Sequence, residues 1–435
     1  MYNIIMKGIF YLTFNGILNN TNGIGTQTKI LLDGFDFFYN KFKEKYGDIS
    51  LNIITPNYAE EYPGYSKKDC EFSKEKIKKL GGNIFFCKDS DTIENFWTTK
   101  NWNNLSKEAS EIIKREMIKY DEILVICVDM PFLHTPIFFE KMYGYVDNIK
   151  WLLSLYSSSY IHDKDLISNE RLAWEYVGIS SSRLNKNVYL AKICNFMENH
   201  LIEYYGAPKD KFTPYESSLF LQSDDFDKLN KKEIQDILIK FNIPLNKDII
   251  FCFGRGIWIK GFDILFESLP LVKKDFHLVF ISVPLQSELS ENEKYLRLFE
   301  KAKYSYTIIP AFSRILPKAL CQWYKTKIVV CPSRGEPFSN IPLETSIWAK
   351  DNGPVVLSSD IDGFLEQINN GDTGYLFKVG SPSDLATKIN YIFSLKNNLL
   401  CKVRNNAYAK VIKERDFSKN LEDTLDYFWL MNKCK

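Results

Sequence analysis

A chain of 435 residues is longer than one hydrophobic core usually fills, so two domains are expected. With 45% hydrophobic and 25% charged residues and a net charge of +2, it is an ordinary globular composition, too evenly charged to argue for nucleic acid or an anionic membrane face. Nine scattered cysteines without a C-x-x-C, and four histidines, suggest neither a disulfide framework nor a metal cluster. The thiols read as small buried hydrophobes in a reducing compartment.

The opening segment lacks a basic stretch followed by a cleavage site and reads as a first strand. The longest low-charge run, 123–139, is interrupted by Asp129, Pro131, His134 and Pro136 and is too broken to span a bilayer. A cytoplasmic protein is expected, with peripheral contact at the inner face of a membrane still compatible.

The apolar run 9–12 leads into a polar loop, 15–25, and the spacing predicts a helix over 26–38 with Thr26 as its cap. Gly23 and Gly25, in NNTNGIGTQTK, would let backbone approach a ligand closely. A plain flexible strand-to-helix loop fits the same residues. Strands over 51–55, 83–87 and 122–128 alternate with helices such as 108–120, which implies a parallel sheet covered on both faces. In open α/β sheets ligands sit beyond the carboxyl ends of strands, and both His134 and His162 fall at such ends. A structural role is the alternative for each. A short strand over 174–182 and a helix over 187–205 follow, stopped by Gly206-Ala207-Pro208. The polar, irregular stretch after it marks the domain boundary.

The second half repeats the alternation. A strand over 248–253 enters the loop GRGIWIKG, and a helix is expected over 262–272. The loop is neither a complete G-x-G-x-x-G nor a G-x-x-x-x-G-K-[ST]. Lys260 stands just ahead of a helix N-terminus, where the macrodipole disfavours a cation. An anion held between Arg255, Lys260 and the helix would remove that conflict. A diphosphate suits, because arginine clamps it with two bonds and lysine serves as a point charge. Two cations held outward in water are the alternative.

Strands over 277–283 and 306–310 and a helix over 315–324 lead to a strand at 328–331, which runs into CPSRGEPFSNIPLE. Pro342 suits the first turn of a buried helix. The amides of Phe338, Ser339 and Asn340 would then point outward at its N-terminus, an arrangement that attracts electron-rich ligands. Glu336 and Glu344 flank that nest, and carboxylates only accept hydrogen bonds at neutral pH. Donating amides beside accepting carboxylates suit a polyhydroxyl ligand carrying phosphate, although an ordinary strand–loop–helix with two solvated glutamates would read the same. A strand over 353–358, a helix from Asp362-Gly363-Phe364, the turn GDTGYLF and a helix over 385–395 follow. A last helix over 420–432 carries Leu421, Leu425, Tyr427, Phe428 and Trp429, which must be buried somewhere.

Arg255, then Lys260 with Gly261 and Asp263, then Glu336 and Glu344 in an E-x7-E spacing, then G-x-x-G-Y-L-F, follow one another in a fixed order. The series resembles the retaining nucleotide-sugar glycosyltransferases of the GT-B fold, family 4, related to sucrose and glycogen synthases. TNGIGTQTKILLDG looks like that family's acceptor-side glycine loop. The resemblance implies two Rossmann-like domains with parallel sheets facing a central cleft. It divides the chain into an acceptor-binding domain at 1–210, a linker at 211–228, a nucleotide-sugar domain at 229–412, and a terminal helix at 413–435 crossing back to the first domain.

The same resemblance assigns Arg255 and Lys260 to the donor diphosphate, Glu336 to the sugar hydroxyls and Glu344 to the ribose. Backbone at Phe338, Ser339 and Asn340 would hold sugar and phosphate. Gly23 and Gly25 would form the loop closing on the diphosphate, His162 would face the donor sugar, and His134 the acceptor. It implies transfer of a hexosyl unit from a nucleoside-diphosphate sugar, UDP favoured, to a glycan, lipid-linked sugar or small metabolite. No cofactor and no metal are required; the D-x-D triplets at Asp89, Asp163 and Asp360 are taken as coincidence. Family members often carry Glu-Gly-Phe-Gly where this chain has Glu336-Pro337-Phe338-Ser339, which bears on the identity of the sugar. Two further readings stay open, a nucleotide-sugar-binding partner subunit without turnover and a sugar-nucleotide epimerase.

Overall fold

The computed structural model describes residues 6–19, 22–62, 64–88, 96–163, 167–283, 293, 295, 297–299, 302–311 and 313–431. The triplet at Asp89 and the third residue of the one at Asp163 lie outside this set, as does the end of the helix expected to reach 432. The chain forms two compact units, Met1–Phe220 with Arg415–Lys435, and Leu221–Glu414. Residues 211–220, expected in a linker, therefore belong to the first unit.

The first unit is built on seven strands, β1 Met6–Leu12, β2 Asp48–Pro56, β3 Ile84–Cys87, β4 Glu122–Val128, β5 Ile149–Ser154, β6 Val188–Lys192 and β7 Phe212–Pro214. They are all parallel, in the order β3-β2-β1-β4-β5-β6-β7. Helices on both faces remove the usual alternation, so β4, EILVICV, is buried at every position after Glu122. The strand order reverses between β1 and β4, which opens a crevice beyond their carboxyl ends.

The second unit has six parallel strands, β8 Ile249–Arg255, β9 His277–Val283, β10 Ser305–Ile309, β11 Thr326–Cys331, β12 Val355–Ser359 and β13 Tyr375–Phe377. Their order is β10-β9-β8-β11-β12-β13, so the reversal falls between β8 and β11. Successive residues of β8 face opposite sides. Ile250 and Cys252 join one core with Phe262, Phe280 and Leu357. Ile249 and Phe251 join the other with Leu316, Leu320 and Phe364.

Several expectations are corrected. The first helix runs Gly23–Phe37 and is capped by Asn22, whose side chain accepts from Gly25 N at 3.1 Å, so Thr26 lies inside it rather than at its cap. The stretch expected as a strand over 174–182 lies in the helix Asn169–Leu184, with Trp174, Gly178, Ile179, Ser181 and Ser182 on its buried face. The start of the helix expected over 187–205 is instead β6, and the helix begins only at Asn195. The stretch read as irregular after Gly206 contains β7.

The last helix, Phe417–Trp429, belongs to the first unit. Thr424 Oγ1 donates to Pro214 O on β7 at 2.7 Å, and Tyr46 Oη donates to Asp426 at 2.7 Å. The two connections between the units leave side by side, with Leu219 N donating to Arg415 O at 2.8 Å and Phe417 N to Leu219 O at 3.0 Å.

Candidate active site

In the second unit the two loops that leave β8 and β11, the strands at the reversal, carry the charged residues singled out above. β8 becomes only half-buried at its end, at Phe253, Gly254 and Arg255. A single 3-10 turn, Trp258–Lys260, follows, and Gly261 then adopts a left-handed φ of 63° ahead of the helix Phe262–Ser268. Glycine is required at this point, because a Cβ there would collide with the Pro332 carbonyl of the loop after β11. That close approach brings Lys260 Nζ to within 2.5 Å of Glu336 Oε2. Their side chains are 21% and 9% exposed, so water screens this pair far less than a surface pair.

Glu336 is fixed from a third loop. Its N–H donates to Asp362 Oδ2 and its carbonyl accepts from Gly363 N, both at 3.0 Å. Asp362 holds a φ of 50°, a left-handed conformation uncommon outside glycine. Arg334 joins the first two loops again. Its guanidinium forms a fork on Asp263, Nη1 to Oδ1 at 2.8 Å and Nη2 to Oδ2 at 2.5 Å. That bidentate contact holds the Arg334 pKa above its usual value.

The helix Asn340–Trp348 is capped by Ser339, with Pro342 in its first turn. Of the three amides expected to point outward, that of Ser339 is already committed, donating to Gln367 Oε1 at 3.4 Å. Gln367 Nε2 returns a bond to Ser339 O at 2.6 Å. The partner lies 28 residues downstream, so the amide's engagement was not visible in the local pattern.

Glu344, one turn into this helix, has its pKa raised by burial to about 7, against the opposing charge of Arg314. A carboxyl raised above its unfolded value stabilises the fold while neutral. That contribution is complete below about pH 4.5 and is lost as pH rises through about 7. Thermal denaturation from about pH 5 to about pH 8 should therefore show the Tm of the wild type falling with pH relative to that of Glu344→Gln, in which this contribution is absent. Equal slopes in the two proteins would contradict this.

In the first unit, Gly23 and Gly25 lie in the first turn of their helix rather than in a loop before it, and Gly25 is buried. His134 is also buried, stacked on Trp174 at 3.5 Å with Nε2 2.7 Å from Trp174 O. Burial lowers its pKa to about 4, so the ring is neutral and occupied in packing. His162 ends the one-turn helix Ser159–His162 beyond β5 and is half-buried, with Nδ1 3.3 Å from Ser158 O.

A buried polar network holds the segment that carries His162. Asp129, at the end of β4, has a φ of 60° and accepts from Ser157 N at 3.2 Å. Burial raises its pKa to about 6. Glu175, fully buried, accepts from Ser159 N at 2.9 Å, Arg171 Nε at 3.0 Å and Tyr205 Oη at 2.5 Å. Sequence reading missed these residues, because a helix misread as a strand hides the i, i+4 pairing of Arg171 with Glu175.

The two units, one on a seven-stranded and one on a six-stranded parallel sheet, match the fold of known glycosyltransferase structures. A glycosyltransferase from Rickettsia africae superposes with a TM-score of 0.71 at 20% identity, covering 98% of each chain. Sucrose-phosphate synthase from Thermosynechococcus elongatus gives 0.75 at 14% identity, over 99% of this chain and 100% of that one. Anabaena HepE, in complex with UDP and glucose, gives 0.69 at 13% identity, over 97% and 99%. The fold is GT-B. Residues 233–410 match the family model described as glycosyl transferases group 1. This region is a glycosyltransferase domain. No curated protein matches the chain in sequence.

The matched region contains Arg255, Lys260, Arg334, Glu336 and Glu344. Among the described residues of the GT-B chain, no group of three or more His, Cys, Asp or Glu is placed to hold a metal ion. Among the same residues no helix is long and apolar enough to cross a membrane.

Proposed function

We propose that the protein is a retaining glycosyltransferase of family 4 that moves a hexosyl unit from a nucleoside-diphosphate sugar, uridine diphosphate favoured, to a hydroxyl acceptor. The observation that carries this reading is the 2.5 Å contact of Lys260 with Glu336 at the reversal of the second sheet. A cation for a leaving phosphate and an acceptor for sugar hydroxyls stand together there, at the place where open sheets bind ligands. The choice of nucleotide is supported by the HepE complexes, one with UDP and glucose and one with UDP-glucose.

In this reading Arg255 and Lys260 take the diphosphate, and Glu336 takes the sugar hydroxyls. Glu344 accepts from the ribose, and backbone at Phe338 and Asn340 supports sugar and phosphate, the Ser339 amide being taken by Gln367. Gly23 and Gly25, in the first turn of a 15-residue helix, let its N-terminus approach the diphosphate. His162 faces the sugar. The bond from the anomeric carbon to phosphate breaks as the acceptor oxygen bonds on the same face, and the acceptor's proton passes to the departing phosphate oxygen. Positive charge on that phosphate stabilises the transition state. An acceptor contact for His134 is left out, since its ring is spent on Trp174. The acceptor class stays at a glycan, a lipid-linked sugar or a small metabolite. Buried unpaired thiols such as Cys127, Cys252 and Cys331 suit a cytosolic enzyme.

Incubation with UDP-, GDP- and ADP-sugars and a panel of acceptors should release nucleoside diphosphate and give an α-linked product from an α-linked donor. A β-linked product would contradict retention, and an isomerised donor would identify an epimerase instead.

A further inference from the structure

Arg334 has no part in the roles given above, yet it makes more contacts to the Lys260 loop than Glu336 does. Its N–H donates to Ile259 O at 2.7 Å, and its Nη1 to Trp258 O at 3.0 Å. The same guanidinium forks onto Asp263 and lies 4.8 Å from the centre of the Trp258 ring. These contacts hold the chain on both sides of Lys260. Among the described residues, two ion pairs join the loop after β8 and the first turn of the helix it enters to the loop after β11, Lys260–Glu336 and Arg334–Asp263.

The two pairs differ in kind. Lysine meets its carboxylate as a point charge on a flexible stem, whereas arginine meets its partner as a planar fork with two parallel bonds. A donor that draws Lys260 to its diphosphate and Glu336 to its sugar must open the first pair. The second need not open, because Asp263 and Arg334 satisfy each other. Elsewhere the Lys260 loop is tied down by Gly256 N donating to Val283 O at 3.3 Å and Tyr295 Oη to Ile257 O at 3.4 Å, while Gly254, Gly256 and Gly261 in the eight residues GRGIWIKG leave its backbone permissive.

We propose that Arg334–Asp263 is a brace that keeps the two loops in register while the Lys260–Glu336 pair opens to admit the donor. Arg334 is then a positioning residue that acts through Lys260. The proposal rests on the donor reading given above. A preformed loop spares the ordering cost that binding would otherwise bear.

The test uses the full chain and three variants, Arg334→Met, Arg334→Lys and Asp263→Asn. Hydrogen exchange, which needs no ligand, should be about tenfold faster or more over 256–262 in Arg334→Met, with β9 and β12 unchanged. UDP affinity by calorimetry should fall about 10- to 50-fold in Arg334→Met and less in Arg334→Lys. In a Lys260→Met background the further loss from Arg334→Met should shrink to about twofold or less.

Unchanged exchange would overturn the brace. A full loss of affinity in the Lys260→Met background would overturn action through Lys260. If the wild-type chain binds none of UDP, GDP and ADP, the donor reading fails and the positioning role with it; the exchange data tell that result apart from failure of the brace. Should Arg334→Met not fold, Arg334→Lys and Asp263→Asn carry the same comparisons.

Discussion

Lys260→Ala is expected to lower kcat/KM for the sugar donor about 100- to 1,000-fold, the cost of removing one fixed positive group from a developing anion. That range corresponds to about 3–4 kcal/mol of transition-state stabilisation. The same change removes the counter-charge of a Glu336 side chain that is only 9% exposed. Stability should therefore fall by about 1–3 kcal/mol, the penalty for leaving a buried charged acceptor without its partner. Lys260→Arg separates the two effects. It keeps a cation against Glu336 and should restore most of the stability, while recovering only part of the rate, because a planar fork does not replace a point charge on the same stem. Steady-state kinetics with a responsive donor and thermal denaturation read the two quantities. Activity within threefold of wild type in Lys260→Ala would refute the proposed role.

Glu336→Gln should act with opposite signs on two measurements. Turnover should fall by about 100-fold, since the neutral amide is a weaker acceptor for sugar hydroxyls as charge develops on the ring. Binding of UDP, which carries no sugar, should hold steady or tighten several-fold. Lys260 is at present held 2.5 Å from Glu336 Oε2, and the substitution releases it for the diphosphate. Weaker UDP binding in Glu336→Gln would mean that the carboxylate holds Lys260 in place rather than competing for it. Calorimetry with UDP alone, beside kinetics with the full donor, distinguishes the two.

The parallel sheets were legible because strands buried on both faces are written as continuous apolar runs. EILVICV at β4 and HLVFISV at β9 fall within the bounds expected for them. The helix Asn169–Leu184 was not, because WEYVGIS is rich in aromatic and β-branched residues that favour strands when packing is ignored. Burial against neighbouring elements overrode that preference. β6 was absorbed into the following helix, as only Ile193 and Cys194 separate VYLAK from it and neither is a turn residue. β7 is three residues long and ends in proline, too short for any pattern.

At the site, Lys260 and Glu336 could be found because their chemistry is local to each loop. The bond between them spans 76 positions, and the fork of Arg334 on Asp263 spans 71. Neither partner carries a local sign of the other. Glycines that lie against a carbonyl, as Gly261 does against Pro332 and Gly363 against Pro337, likewise show their purpose only once the loops are seen together.

The placement of the helix Phe417–Trp429 in the first unit has a consequence for synthesis. A ribosome completes the whole second unit, Leu221–Glu414, before it makes the residues that cover β7. Nascent domains ordinarily fold in the order in which they emerge. Here the half begun first is finished last, and until translation reaches Leu421, Leu425, Phe428 and Trp429 its partial sheet waits with the apolar surface they bury still open to water.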